Sequence, residues 1–418
     1  MSYSLTLTIT GLNNPTGVAV DSVGNIYVAN YLANQVLKYN SSGGSPILTI
    51  TSGLNLPQGV ALDSLGNIYV ANVGDNNVIK YNTLGGLIGI IISGLRAPRG
   101  IALDSVGNIY VANYDANQVL KYNSSGGSPI LTIAAGGPQG VALDSLGNIY
   151  VANSFTNTVT KHNSSGGSPV LTIPQVDNTT GVAVDSLGYI YVANYGATFV
   201  AKYNSTGQAM TSITILNTAY GIGLDYTNNV YVATYEGQTV LRYSLPFICF
   251  KEGTKILTNN GYKPIEELKK GDLVKTLSSG YKKLDMIGYK KIWNPASDER
   301  IKDQLYVYKK NKMEEVFEDL VLTGCHSVLI DRFETSEKRE KVRSLLGGIF
   351  ITEKKARLPA CLDERAEIYK SEGFHTIYHV ALENEDYYNN YGIYANGLLA
   401  ESCSQRYLKE LSGMILIE

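Results

Sequence analysis

Short apolar runs alternate with clusters of Gly, Asn, Asp and Ser over the first 245 residues, and within each run the apolar positions recur every second residue. That period predicts strands rather than helices. The pattern also repeats on a longer scale. The phrase Gly-[VI]-[AG]-[VL]-Asp begins at Gly17, Gly59, Gly100, Gly140, Gly181 and Gly221, at intervals of 40 to 42 residues. A typical copy runs through an Asp-Ser-x-Gly-Asn turn into Ile-Tyr-Val-Ala-Asn. A variable loop follows, then an alternating run such as Gln35-Val-Leu-Lys-Tyr39, a Ser-Ser-Gly-Gly turn and Ser-Pro-Ile-Leu-Thr-Ile. Four short strands repeated about every 40 residues predict the blades of a β-propeller, here six. The sixth copy has three strands and stops near Ser244. Ser4-Leu-Thr-Leu-Thr-Ile9 reads like the missing fourth, so the first strand is expected to complete the last blade and close the ring.

Charge marks where this pattern ends. Up to Ile248 there are 8 Lys+Arg and 10 Asp+Glu, and the remaining residues hold 27 of each. The expected layout is a propeller over 1–245, a linker over 246–248, a second domain over 249–405 and a tail over 406–418, with a helical turn at Leu408–Ser412. A net charge of -2 gives no reason to expect nucleic acid or an anionic membrane as partner. All four cysteines, Cys249, Cys325, Cys361 and Cys403, fall in the second part. They are too few for a disulfide framework and point to a reducing compartment or to site chemistry. Met1 to Leu12 lacks the pattern of a secretory signal, and no apolar run is long enough to span a bilayer. The Asn-x-Ser/Thr sequences at Asn40, Asn123, Asn163 and Asn204 therefore read as turns.

The repeated phrases resemble the NHL family of propellers across residues 4–245. That family includes RNA-binding modules, protein-binding modules and a metal-dependent lyase. Few basic residues argue against RNA. A lone His162 argues against a metal site in the channel, so no cofactor or metal is expected. The Asp residues at the repeat turns (Asp21, Asp63, Asp104, Asp144, Asp185, Asp225) are expected to bond backbone N–H groups rather than a cation. The loops that differ between copies, several with a tyrosine at one position (Tyr31, Tyr114, Tyr195, Tyr235), suit a protein or carbohydrate partner.

From Cys249 the text changes. Cys249, Gly253, Thr254, Gly261, Pro264-Ile265, Leu268 and Gly271-Asp272 resemble the opening of a Hint domain, the mainly β self-processing fold of hedgehog C-terminal domains and inteins. Thr323-Gly-Cys-His326 matches that family's Thr-x-x-His block, and His379-Val-Ala-Leu-Glu through Tyr394 to Glu401 resembles its final strands. The two-part layout resembles proteins encoded by giant DNA viruses, which implies a host cytoplasmic or virion-associated location. The resemblance implies that Cys249 attacks the Ile248 carbonyl in an N-to-S acyl shift. His326 would protonate the departing nitrogen, and Thr323 would hold the peptide out of plane. His379, where inteins carry an aspartate, would join the proton transfer. Water or a small thiol would then take the acyl group and free residues 1–248. Cys325, Cys361 and His375 read as structural or surface residues.

The ending departs from splicing. Glu401 and Ser402 stand where inteins carry His and Asn, and serine has no amide to cyclise. Cys403 falls at the position of a second nucleophile and could capture the acyl group, but without Asn it could not complete the exchange. N-terminal cleavage alone is expected. The alternative is a non-catalytic interaction or structural propeller carrying an inactive Hint relic.

Overall fold

A computed structural model of the chain describes residues 3–417, apart from 175–177, 187, 211, 226–227, 245–247, 303, 347, 387–388, 406 and 412–413. Of the expected linker, only Ile248 lies among the described residues. The chain folds as two compact units, Tyr3–Ser244 and a second that follows it.

The first unit is a six-bladed propeller of four-stranded antiparallel sheets. In the first blade the strands are Pro15–Val20, Ile26–Asn30, Gln35–Asn40 and Gly43–Ile50, from the centre outward. All five residues of Ile26–Asn30 are buried, because a blade's second strand has a neighbouring blade on each face. The innermost strands lie closer still. A Cβ on Gly100 would stand 2.7 Å from the Gln139 carbonyl oxygen of the next blade, which is why the repeat begins with glycine. Outermost strands carry Pro46, Pro129 and Pro169, residues that cannot extend a ladder and so blunt the exposed edge. The sixth blade joins Gly221–Leu224, Val230–Thr234 and Thr239–Ser244 to Ser4–Ile9, paired from Ser4↔Ser244 to Ile9↔Val240 with a register shift between Leu5 and Leu7.

The repeat aspartates close turns. Asp63 Oδ1 accepts the N–H groups of Leu65 (3.0 Å) and Asn67 (2.8 Å), while Oδ2 accepts from the Tyr69 hydroxyl (3.2 Å). Asn123 likewise accepts the Ser125 N–H at 3.0 Å. His162 is buried on a third strand, its ring bonded to the Gly167 carbonyl (2.8 Å) and the Thr160 hydroxyl (3.1 Å).

The second unit is built mainly of strands around a large core that includes Phe250, Ile256, Tyr306, Leu322, Val380 and Ile393, with a smaller buried cluster around Cys249. Its spine is the 14-residue strand Tyr281–Asn294, paired with Gly373–Leu382 from Leu284↔Leu382 to Asn294↔Gly373. The tail is more than one helical turn. A π-helical turn spans Tyr407–Leu411, one residue earlier than the expected Leu408–Ser412, and Ser412 lies outside the described residues. The strand Ile415–Ile417 then pairs with Ile287–Tyr289 of the spine. No helix among the described residues is long and apolar enough to cross a membrane.

Candidate active site

Cys249 leads into a two-residue strand, Phe250–Lys251, that slots between two others. On one side Phe250 pairs with Leu322 of Leu320–Thr323, and on the other with Tyr378 of Gly373–Leu382. This insertion brings Cys249, Thr323 and His379 together from positions far apart in sequence. His326 follows Thr323 through a turn closed by its N–H to the Thr323 carbonyl at 2.9 Å. The turn is braced from behind: the His326 carbonyl accepts the Ala360 N–H at 2.9 Å. Arg300 in turn donates to the carbonyls of Ala360, Cys361, Asp363 and Ala366.

The peptide bond between Ile248 and Cys249 is held at its N–H, which donates from Cys249 to Thr323 Oγ1 at 2.9 Å. The next peptide bond is fixed to the same residue, the Cys249 carbonyl accepting the Thr323 N–H at 3.0 Å. One residue upstream, the Ile248 N–H donates to the Tyr407 hydroxyl at 3.3 Å. Tyr407 belongs to the tail, which the motif reading leaves without a role. Its signal in sequence was only a bulky aromatic in a short polar stretch, which no spacing rule singles out.

His326 Nε2 lies 3.0 Å from the Glu401 carbonyl oxygen. A carbonyl only accepts, so Nε2 carries the proton and the neutral ring presents a lone pair at Nδ1. Nδ1 is buried and makes no hydrogen bond, and neither ring nitrogen of His379 makes one. The His326 and His379 rings lie 5.2 Å apart, both packed edge-on to Phe250. Burial pulls His326 down to about 4, against a smaller opposing pull from the Cys249 and Glu401 carbonyls. Burial, and then His326 itself, depress His379 well below the ordinary imidazole range. The Cys249 thiol is pushed far up by burial, with Lys290 pulling the other way.

Cys403 shares a buried cluster with Cys249 and Tyr407. Its thiol donates to the Val380 carbonyl at 3.3 Å, and burial first, then Cys249, raises its pKa well above the ordinary thiol range. Glu401 is fully buried and paired to Arg357 at 2.9 Å. Ser402 Oγ accepts the Tyr391 N–H at 2.9 Å, so this side chain braces backbone. Cys325 and Cys361 are buried, and His375 sits half-buried with its ring on the Ser371 carbonyl at 2.9 Å.

Residues 248–405 match the family described as Hint domain. The second unit is a Hint domain. Residues 54–81, in the second blade, match the NHL repeat, so the chain joins an NHL propeller to that domain. No curated protein matches the chain. Solved structures similar to it include the nidogen/laminin complex, at 19% identity over 50% of this chain and 84% of that one, with a TM-score of 0.46. Streptogramin B lyase is similar at 14% identity over 59% and 98%, with a TM-score of 0.45. A gluconolactonase from Xanthomonas campestris is similar at 18% over 58% and 90%, with a TM-score of 0.49.

Proposed function

We propose that the Hint domain cleaves its own chain at the Ile248–Cys249 bond and frees the propeller as a binding module. The observation that carries this reading is the hold on that bond: Thr323 Oγ1 takes the Cys249 N–H beside a histidine with an open Nδ1 lone pair. His326 takes the thiol proton at Nδ1 as Cys249 Sγ adds to the Ile248 carbonyl carbon. The imidazolium then returns that proton to the Cys249 nitrogen as the C–N bond breaks. A thioester joins Ile248 to Sγ, and the new α-amine stays on Cys249. The tautomer thus makes His326 base first and acid second. Water adding to the thioester gives a carboxylate on Ile248 and restores the thiol; a small thiol gives a new thioester by exchange.

A site this buried resists the first step, because a thiol kept protonated is a poor nucleophile. Thr323 and His326 reduce that barrier by fixing geometry and moving the proton within the pocket. Glu401 and Ser402 are engaged with Arg357 and Tyr391, which supports N-terminal cleavage without splicing.

Intact-mass measurement on wild type and Cys249→Ala, each with and without dithiothreitol, tests the reading. Fragments meeting between Ile248 and Cys249, faster with thiol and absent from the variant, are expected. One full-length mass under all conditions would leave a propeller carrying an inactive relic.

A further inference from the structure

At the register position just before each repeat glycine, the six blades turn one side chain toward the central channel: Thr16, Gln58, Arg99, Gln139, Thr180 and Tyr220. This position varies while the glycine beside it does not, so packing alone does not dictate it. Tyr220 crosses the channel. Its hydroxyl accepts from Gln58 Nε2 at 2.8 Å and donates to Gln139 Oε1 at 3.3 Å, joining three blades and forming a polar floor.

The variable loops rise around this floor. Tyr235 stacks on Tyr220 with ring centres 5.3 Å apart, and Tyr195 meets both edge-on at 6.1 and 6.5 Å. Across the mouth, Arg99 lies flat over the Tyr114 ring, its guanidinium carbon 3.4 Å from the ring centre. Among the described residues lining the channel, Arg99 is the one that carries a charge. Its Nε is buried and makes no hydrogen bond. A buried N–H donor with no partner is a group in want of an acceptor. The channel recess, lined by Thr16 to Val18 and their counterparts in the other blades, has a cavity volume of about 90 Å³, room for about six water molecules.

We propose that the propeller binds a carboxylated sugar at this mouth, the carboxylate on Arg99 and the ring on the Tyr220–Tyr235 stack. A planar guanidinium fixed by stacking presents a fork that suits a carboxylate. Tyrosine faces suit the C–H face of a pyranose, and Gln58, Gln139 and Thr180 offer both donors and acceptors to hydroxyls. The proposal rests on the propeller being the binding part of the chain and is independent of autoprocessing.

Calorimetric titration of the full chain with glucuronate, N-acetylneuraminate, glucose and acetate tests it. One or both acidic sugars should bind at least about tenfold more tightly than glucose or acetate, since one charge-assisted contact is worth about that factor. Which of the two binds separates a hexuronate from a sialic acid. Arg99→Gln should bring the acidic sugar to the level of glucose. Because Arg99 also packs on Tyr114, Tyr235→Ala on a separate blade serves as a second variant. It should weaken every sugar while leaving the ratio of acidic to neutral binding unchanged. Acidic sugars no tighter than glucose, or an Arg99→Gln protein that keeps the preference, would overturn the proposal. Either result would leave the cleavage chemistry untouched.

Discussion

At the scale of single residues, the hydrogen bond from Cys249 N–H to Thr323 ties the motif to the bond proposed to be cleaved. Thr323→Val keeps the shape and removes the acceptor, so cleavage should slow by about 10- to 100-fold, while the buried N–H left unpaired should cost about 1–3 kcal/mol of stability. A rate equal to wild type, measured by fragment accumulation on a gel, would remove Thr323 from the reaction. The histidines set a pH signature. His326 is held at about 4 in the folded protein, and the unfolded chain has the ordinary imidazole value near 6.5. Between those values the unfolded state binds a proton that the folded state refuses, so stability falls as pH drops from about 6.5 to 4. His379 acts in the same direction, while Glu401, raised by burial, offsets part of it. Each histidine contributes up to about 1.4 kcal/mol per pH unit, and His326→Gln should flatten the profile. Urea titrations at pH 7 and pH 5 check the slope. Cys249, Thr323, His326 and His379 stood out in the sequence because the proposed chemistry calls for these residue types within the motif blocks, and the fold brings them to one pocket. Tyr407 and the brace from Arg300 did not stand out, since a hydroxyl or guanidinium that positions backbone can come from anywhere in the chain.

At the scale of elements, the repeat made the blades readable: turn residues and period-two runs agree in every copy. What the repeat concealed is how blades are stitched to one another. Asn76 closes a 3₁₀ turn in the left-handed region at φ 55°, and its side chain accepts the Ala97 N–H of the next blade at 2.8 Å. Asn34 and Asn117 do the same for Leu56 and Gly137. In sequence each is one more loop asparagine. Asn76→Ala loses both the bond and the residue type that tolerates this backbone, and should cost the propeller about 1–2 kcal/mol in denaturant titration. An unchanged midpoint would show that the stitch carries no weight. The tail gives the opposite lesson. Its polar start and brief apolar end offered no period to read, yet Tyr407 of the turn bonds the Ile248 N–H and Ile415–Ile417 extends the sheet. Tyr407→Phe removes the acceptor of the Ile248 N–H and should slow cleavage several-fold. Tyr407→Ala should open the pocket and shift the products toward hydrolysis at a given thiol concentration, read by mass.

For the molecule as a whole, the shift from a sparsely charged repeat to a densely charged domain marked two kinds of surface, and periodicity predicted both the ring and its closure. The pairing of Ser4–Ile9 with Thr239–Ser244 spans nearly the whole propeller in sequence. Removing residues 1–9 should expose the Val240–Tyr243 edge, lower the propeller's melting temperature and promote self-association seen by light scattering. A monomer of unchanged stability would mean the ring does not need its clasp. The clasp also imposes an order in time. The strand Ser4–Ile9 leaves the ribosome with no partner until the strand ending at residue 244 has emerged, about 10 to 50 seconds later at ordinary elongation rates. Throughout that interval a bare Leu-Thr-Leu-Thr-Ile segment waits beside growing blades. The vulnerable period in this protein's life is therefore its synthesis, and its length is set by translation speed.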